Sequence, residues 1–140
     1  MSKSHVYSRR VEFRDTDAAG IVHFSVFFSY MEQAEHDMWR TLGTSVVHKT
    51  PDGVFSWPRV SAKCDYKIAI KFEQIIDIEV RLLNIGTKSL TFGFVFRRDD
   101  DLIAEGSVTT VCCMISDDRT IVSTSIPDEL RSLLKPLLAE

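Results

Sequence analysis

The sequence predicts an α+β fold: a single domain, residues 1–140, with a curved antiparallel sheet around one long central helix. Two periodicities support this class. Apolar residues with helical spacing run through residues 24–42, and apolar and polar residues then alternate along residues 76–82 and 90–96. Because the helical and strand-like patterns are segregated along the chain, the most economical packing places the helix against one antiparallel sheet.

The composition limits the number of domains and the classes of partner. At 140 residues with 44% hydrophobic content, the chain can bury one core, and no repeat or linker marks a second domain. The net charge of −3 provides no sequence-wide basic field, so we expect no nucleic acid partner. The start "MSKSHVYSRR" lacks an apolar h-region, and no segment has the ~18 apolar residues of a membrane span. We therefore expect a cytoplasmic protein.

The first two elements are a strand and the helix. In "YSRRVEF", Tyr7, Val11 and Phe13 share one face of a strand. Ser25 is placed to cap the helix N-terminus and Gly43 to end the helix. The apolar stripe of the helix consists of Phe24, Phe27, Phe28, Met31, Ala34, Met38 and Leu42. Its polar face consists of Glu32, Gln33, Glu35, His36 and Asp37.

The remaining elements are mainly strands. Residues 44–55 read as a loop with turn residues Pro51, Asp52 and Gly53. Half-buried antiparallel strands follow in "IDIEVRL", "SLTFGFVF" and "LIAEGSVTTVCCMI", which are joined by "NIGTKS" and "RRDDD". A short terminal helix is predicted from Pro127, which suits a first helical turn, and from a leucine stripe. That stripe consists of Leu130, Leu133, Leu134, Leu137 and Leu138.

Cysteine and histidine spacing gives no indication of a metal site. Cys64, Cys112 and Cys113 lack the C-x-x-C spacing of zinc and redox sites, and the four histidines lack an H-x-x-x-H pattern. We expect the three cysteines to be reduced, buried and structural. No metal and no cofactor are expected.

The strongest candidates for reactive groups lie in "RDTDAAGIVHF", which places Asp15 and Asp17 just before the helix. Aspartates in turns satisfy local N–H groups, and a negative charge near a helix start complements the helix dipole by about 1 kcal/mol. A carboxylate beside the electropositive end of a helix is also a candidate reactive group. On residue types alone, the structural interpretation of both aspartates is the simpler one.

The run "VEFRDTDAAGIVHFSVFFSYMEQAEHDMWRTLG" resembles the opening of the hotdog-fold acyl-CoA thioesterases related to 4-hydroxybenzoyl-CoA thioesterase. In that family a strand leads through a D-x-D-x-x-G turn into the central helix. The resemblance extends over residues 7–116. It implies hydrolysis of an acyl-CoA thioester to free acid and CoA, with the CoA thioester as substrate.

The resemblance also implies roles for individual residues. Asp17 acts on the thioester, either as nucleophile through an acyl-enzyme anhydride or as general base for water. The backbone N–H near Phe24 polarises the thioester carbonyl, helped by the helix dipole. Gly20 lets the turn approach the substrate, and His23 is a further catalytic candidate. Asp15 is assigned to the turn structure.

Binding residues follow from the same resemblance. The acyl pocket is expected to contain Phe27, Phe28, Met31, Trp57 and Val60. Lys88 and Ser89 match a region that contacts the CoA arm, with Arg97, Arg98 and Lys63 as less specific candidates. Many relatives carry an arginine shortly after the acidic residue matched by Glu32. Here Glu35 and His36 stand in that region instead, which puts any contact made by that arginine in doubt.

The expected assembly is a homodimer, extending to a dimer of dimers, because a single hotdog unit has an open sheet edge and half a pocket. Two other functions stay open. A non-catalytic acyl-CoA-binding module would keep the fold without the chemistry. A hotdog hydratase or dehydratase needs a D-x-x-x-x-H spacing, whereas Asp17 and His23 are six residues apart. The acyl group, and the choice between CoA and carrier-protein thioesters, are not specified.

Overall fold

The computed structural model describes residues 4–139 and shows an α+β fold dominated by antiparallel strands. The elements in chain order are β1 (His5–Arg10), α1 (Val26–Thr41), β2 (His48–Thr50), β3 (Gly53–Ser56), β4 (Arg59–Tyr66), β5 (Ile75–Ile85), β6 (Ser89–Arg98), β7 (Asp101–Val111), β8 (Cys113–Ile115), β9 (Ile121–Ser123) and α2 (Asp128–Leu134). Short 3₁₀ turns lie at Phe13–Asp15 and Lys135–Leu137. Five strands pair in the order β1-β5-β6-β7-β4, and the other four in the order β2-β3-β8-β9.

Strands β5 and β6 form the centre of the core, as their alternating pattern predicts. The inward residues of both strands are buried: Ile76, Ile78, Val80, Leu82, Leu90, Phe92, Phe94 and Phe96. The antiparallel register sets Ile78 opposite Phe96 and Val80 opposite Phe94. Each cross-strand pair therefore adds apolar surface to the same face of the sheet. This face is the one on which a helix can pack.

Helix α1 covers 16 residues and contacts β5, β1 and β4. Its start after Ser25 and its end before Gly43, which has a left-handed φ of +89°, agree with the predicted bounds. The structure places one residue of each predicted helix face differently. Phe24 lies before the helix and is 64% exposed, so it does not belong to the apolar stripe. Glu35, assigned to the polar face, is buried, and hydrogen bonds from Arg59 and Trp39 to its carboxylate offset part of the cost of burial.

The first strand begins and ends earlier than predicted. It covers His5–Arg10, and the chain turns after Val11, so Phe13 enters a 3₁₀ turn and is 76% exposed. Its ring contacts the Phe72 ring edge-on at 5.8 Å instead of facing the core. The turn is stabilised by reciprocal hydrogen bonds between Glu12 and Asp15. Alternation in the sequence could not detect this change of direction.

Residues 44–55 are not simply a loop. Strands β2 and β3 form a short hairpin whose turn contains the predicted residues Pro51 and Asp52. The predicted strand 102–115 is interrupted at Cys112, whose N–H donates to the Lys88 carbonyl, and its last part pairs with β3 and β9. These strands are three or four residues long, too short to show a periodicity.

The terminal helix α2 ends at Leu134, whereas the predicted leucine stripe continues to Leu138. Pro127 precedes α2 as its N-cap residue instead of lying in its first turn, and Leu130 and Leu134 are buried. A 3₁₀ turn containing Pro136 then follows, because proline cannot continue the α-helical hydrogen bonds. Leu137 is buried in this turn, and the chain returns to β5, where the Ala139 N–H donates to the Leu82 carbonyl.

The cysteines, the candidate metal ligands and the helices of residues 4–139 bear on three other possible features: reactive thiols, metal sites and membrane spans. All three cysteines are free; Cys112 and Cys113 are buried as expected, whereas Cys64 is only half-buried. Burial raises the pKa of the Cys112 thiol to about 11, which keeps it protonated at neutral pH. In the same range, no cluster of three His, Cys, Asp or Glu side chains could hold a metal ion. No helix among these residues has the length and apolar character to cross a membrane.

Candidate active site

Asp17 lies in a closed turn that orients its carboxylate. The Asp17 N–H donates to the Ile21 carbonyl at 2.9 Å, and the Gly20 N–H donates to the Asp17 carbonyl at 2.9 Å. Gly20 has a φ of +81°, a left-handed conformation that strains most other residues. Carboxylate oxygen Oδ1 of Asp17 accepts the Ala19 N–H at 2.8 Å. Among residues 4–139, no donor is paired with Oδ2, so half of the carboxylate is available for other contacts.

Asp15 has a different environment from Asp17. It is 8% exposed, and its Oδ2 accepts hydrogen bonds from the Tyr30 hydroxyl at 2.7 Å and the Glu12 N–H at 2.9 Å. The Arg9 guanidinium lies 3.3 Å from the same oxygen. Burial and the Asp15 carboxylate raise the pKa of Tyr30, which keeps its hydroxyl protonated as a donor. These contacts match the structural role expected of Asp15.

The residues just before α1 leave one backbone donor free. The His23 N–H donates to the Asp15 carbonyl at 2.9 Å, while His23 Nδ1 accepts the Ser25 N–H at 3.2 Å. Ser25 makes no side-chain cap, since its hydroxyl lies 2.7 Å from His23 Nδ1. In the described part of the chain, the Phe24 N–H has no hydrogen-bond acceptor. A free donor at a helix start is suited to an oxygen that gains negative charge.

Asp17 and Phe24 line the same cleft, which has a volume of about 260 Å³. One wall contains Asp17, Ile21, Val22, Phe24 and Phe27, and the other consists of residues 66–70. The Val22 N–H joins the walls by donating to the Ile70 carbonyl at 2.8 Å. Most of the lining is apolar, so a carboxylate and a peptide N–H here face less competition from water than on an open surface. The structure thus brings Asp17, Phe24 and Phe27 together.

The other residues assigned to the acyl pocket lie elsewhere within one chain. Phe28 and Met31 line a second cleft of about 130 Å³, and Trp57 lines a third. Val60 is on the outer strand β4 and is 61% exposed. His23 does not line the Asp17 cleft, because its ring is turned towards Ser25 and stacks on Phe24.

The residues assigned to CoA binding are also separate from this cleft. Lys88 and Ser89 lie at the turn between β5 and β6, where the Gly86 N–H donates to the Ser89 carbonyl. Neither residue is part of the lining that contains Asp17. One chain alone therefore does not assemble all of the residues that the resemblance implies.

Two residues near the clefts were not identified as site residues from the sequence. Tyr66 lines the Asp17 cleft and donates its hydroxyl hydrogen to the Phe24 carbonyl at 2.8 Å. Glu35 lines the second cleft, 1% exposed, where it accepts hydrogen bonds from Arg59 at 2.7 Å and Trp39 at 3.1 Å. The i, i+4 spacing of Glu35 and Trp39 was the one signal in the sequence for this pair. No local pattern connects Tyr66 with Phe24, which is 42 residues away.

Comparison with known proteins places the chain in a family. Residues 11–134 match the model of the thioesterase-like superfamily, and the chain belongs to it. A relative from Aquifex aeolicus, provisionally named an esterase, is 31% identical over 130 residues, covering 93% of this chain and 97% of the relative. This membership confirms the resemblance to the hotdog thioesterases noted in the sequence.

Solved structures of similar fold include two that are named as acyl-CoA thioesterases. The gentisyl-coenzyme A thioesterase BH1999 is 27% identical, with a TM-score of 0.80 over 92% of this chain and 98% of that one. A mutant of 4-hydroxybenzoyl-CoA thioesterase in complex with 4-hydroxybenzoyl-CoA is 20% identical. Its TM-score is 0.80 over 95% of this chain and 99% of that chain.

We predict that Asp15→Asn lowers stability. The amide cannot serve as the charged acceptor that Arg9, Tyr30 and the Glu12 N–H share, which should cost about 1–3 kcal/mol of unfolding free energy. Urea denaturation of the variant and the wild type measures this loss. Asp17→Asn is the matched control and should unfold near the wild-type midpoint, because Asp17 is only half-buried. Equal midpoints for Asp15→Asn and the wild type would contradict the role of Asp15.

A second prediction concerns the pH dependence of stability at Glu35. Burial raises the pKa of Glu35 in the folded protein, and this outweighs the opposing effects of Arg59 and Trp39. Ionised Glu35 therefore disfavours folding at neutral pH, and that cost diminishes as the pH falls through the folded pKa towards the normal value of 4.5. Relative to Glu35→Gln, the wild type should gain stability as the pH falls from neutral towards 4.5.

Urea midpoints of both proteins across this pH range measure the change. The groups common to both proteins largely cancel in the difference. If the wild type instead lost stability relative to Glu35→Gln as the pH falls, Arg59 would be holding the pKa of Glu35 below its normal value.

Proposed function

We propose that this protein hydrolyses an acyl-CoA thioester to a free acid and CoA, with Asp17 acting on the thioester. The proposal rests chiefly on one observation: a half-buried carboxylate with an available oxygen shares an apolar cleft with the residue whose N–H is free at the start of α1. Thioester hydrolysis needs both groups, because one face of the carbonyl receives a nucleophile while its oxygen gains charge. The names of the thioesterases of similar fold support a CoA substrate.

In this mechanism the Phe24 N–H donates a hydrogen bond to the thioester oxygen. The positive end of α1 adds to the stabilisation of the oxyanion, and one such donor is typically worth about 10²–10³ in rate. Asp17 acts from the other side in one of two ways. As nucleophile it forms an acyl anhydride that water then hydrolyses; as general base it takes a proton from the attacking water. In either case the C–S bond breaks and CoA leaves as thiolate, which then gains a proton.

The turn prepares Asp17 for either role. Because the Ala19 N–H holds Oδ1, the carboxylate does not need to be ordered when substrate binds, and Oδ2 is left to react. Gly20 has no side chain to obstruct the approach of the substrate to the turn. His23, a further catalytic candidate, orders the residues at the start of α1 through its Nδ1 contacts with Ser25.

We further propose a homodimer in which two β4 strands pair, so that one sheet continues through both subunits and curves around their α1 helices. Strand β4 is an edge of the five-stranded sheet, and all of its residues except Cys64 are exposed. As a sheet edge of eight residues, β4 has N–H and C=O groups with which a second copy can pair. A dimer of dimers would extend this assembly.

The dimer accounts for the distribution of the proposed binding residues. Phe28, Met31, Trp57 and Val60 belong to clefts or surfaces next to β4, so a partner copy can bring its own set to the acyl group held at Asp17. Lys88 and Ser89 of either subunit are proposed to contact the phosphates of the CoA arm. An acyl pocket shared in this way would be complete only in the dimer.

We predict a dimer at micromolar concentration that Val60→Lys weakens. A charged side chain on the proposed contact strand opposes pairing of the two edges. Val6→Lys is the matched control, since Val6 is a similarly exposed valine on the opposite edge strand β1. Light scattering together with turnover assays distinguishes the two variants. An active wild-type monomer, or equal effects of the two substitutions on dimerisation, would exclude pairing through β4.

The central prediction is that Asp17→Asn loses turnover and keeps substrate binding. The amide preserves the volume of the side chain and its contact with the Ala19 N–H, but it is a poor nucleophile and a poor base. We expect turnover to fall by about 10²–10⁴, the range for removal of a positioned acid or base, with binding of acyl-CoA largely retained. Release of free thiol from a panel of aromatic and short-to-long aliphatic acyl-CoAs measures this effect.

Asp101→Asn serves as the control, because Asp101 is an exposed carboxylate outside the Asp17 cleft and should be replaceable without effect. Near-native turnover of Asp17→Asn would exclude Asp17 as the reacting carboxylate. No thiol release by the wild type from any member of the panel would favour the acyl-CoA-binding module instead.

A further inference from the structure

The peptide bond between Phe24 and Ser25 is held on both of its polar sides. Its carbonyl oxygen accepts the Tyr66 hydroxyl at 2.8 Å, and its N–H donates to His23 Nδ1 at 3.2 Å. The preceding peptide contains the Phe24 N–H, and its carbonyl, that of His23, accepts the Val26 N–H at 2.9 Å. One peptide earlier, the His23 N–H donates to the Asp15 carbonyl at 2.9 Å. The described chain thus fixes the backbone around Phe24 while leaving the Phe24 N–H unpaired.

Packing of the Phe24 side chain does not explain why the backbone around Phe24 is fixed. The side chain is 64% exposed, and within residues 4–139 the aromatic ring that it contacts is that of the neighbouring His23, at 4.6 Å between ring centroids. Phe24 also precedes the first residue of α1, so the regular helical hydrogen bonds do not include its N–H. Its own peptide is held locally through the His23 carbonyl and the Val26 N–H. The backbone dihedrals of Phe24 join this peptide to the Phe24–Ser25 peptide, so the hydrogen bonds that hold the second peptide also restrain the direction of the Phe24 N–H.

Tyr66 holds the Phe24–Ser25 peptide from the opposite wall of the cleft. It is the last residue of β4, where it pairs with Ala104, and its ring contacts the Phe27 ring edge-on at 5.0 Å. Its position is therefore defined by the sheet and by α1 together. Although Tyr66 is 44% exposed, partial desolvation of its hydroxyl and the neighbouring Cys64 raise the pKa of Tyr66, so the hydroxyl stays protonated at neutral pH and can donate.

We propose that Tyr66 is a positioning residue for thioester hydrolysis: its hydroxyl holds the Phe24 carbonyl so that the Phe24 N–H stays directed at the substrate oxygen. This inference rests on the proposed function. Tyr66 acts on the reaction through the backbone of Phe24. An oxyanion donor stabilises the transition state only when it is already oriented, so loss of the hydroxyl should affect turnover more than binding.

Tyr66→Phe tests the role of the hydroxyl. The variant keeps the ring and its contact with Phe27, and removes the hydrogen bond to the Phe24 carbonyl. We expect kcat to fall about tenfold, part of the loss typical of an oxyanion donor, while KM changes by less than about twofold. Tyr7→Phe is the matched control, because Tyr7 lies on β1 outside the Asp17 cleft and should keep wild-type kcat.

A spectroscopic measurement reports on the carbonyl directly. In the Asp17→Asn background, a bound acyl-CoA labelled with ¹³C at the thioester carbonyl should show a C=O stretch at lower frequency than in water, because a hydrogen bond polarises the carbonyl. Adding Tyr66→Phe should reduce this shift while the acyl-CoA still binds. Adding Tyr7→Phe should leave the shift unchanged.

The results separate failure of this inference from failure of the proposed function. If the wild type hydrolyses acyl-CoA and Asp17→Asn does not, but Tyr66→Phe keeps wild-type kcat and carbonyl frequency, the positioning role of Tyr66 is wrong and the proposed function stands. A rise in KM with unchanged kcat would make Tyr66 a binding residue and would also overturn the inference. Absence of turnover in the wild type would instead contradict the proposed function.

Discussion

The arrangement of the candidate site depends on the hydrogen bonds of buried Asp15. Its side chain joins Arg9 of β1 to Tyr30 of α1, and its backbone carbonyl accepts the His23 N–H just before the helix. One residue thus links the first strand, the turn and the start of α1. Because a buried carboxylate is costly unless its oxygens are paired, this geometry is strongly defined. The turn containing Asp17 therefore begins beside a residue whose position is fixed by these hydrogen bonds.

Two aspartates separated by one residue have opposite environments for this reason. Asp15 is 8% exposed and its Oδ2 is shared by Arg9, Tyr30 and the Glu12 N–H, whereas Asp17 is half-buried and faces an apolar cleft. The residue type alone does not distinguish them. What separates their roles is the direction of the chain at a 3₁₀ turn and at Gly20, which places one carboxylate inside and the other at the cleft.

The sequence predicted the features that depend on periodicity and local turn chemistry. The strand alternation of Ile76 to Leu82 and the bounds of α1 were recovered, because each rests on repeated spacing or on a residue such as Gly43. Burial of Glu35 was missed, since its partner Arg59 comes from a distant strand. Tyr66 was missed for the same reason. The family resemblance indicated Asp17 and Phe24, but long-range hydrogen bonds cannot be read from spacing.

Helix α1 lacks a hydrogen bond from the side chain of its N-cap residue, Ser25. Ser25 occupies the cap position, yet its hydroxyl lies beside His23 Nδ1 and makes no cap hydrogen bond to the helix. A conventional cap at Ser25 would satisfy an N–H group inside α1 and improve stability by about 1 kcal/mol. Holding the Phe24–Ser25 peptide through Tyr66 and His23 orders this segment without covering the Phe24 N–H. In the proposed mechanism, hydrogen bonds from outside α1 therefore take over the ordering of the helix start and leave the proposed oxyanion donor uncovered.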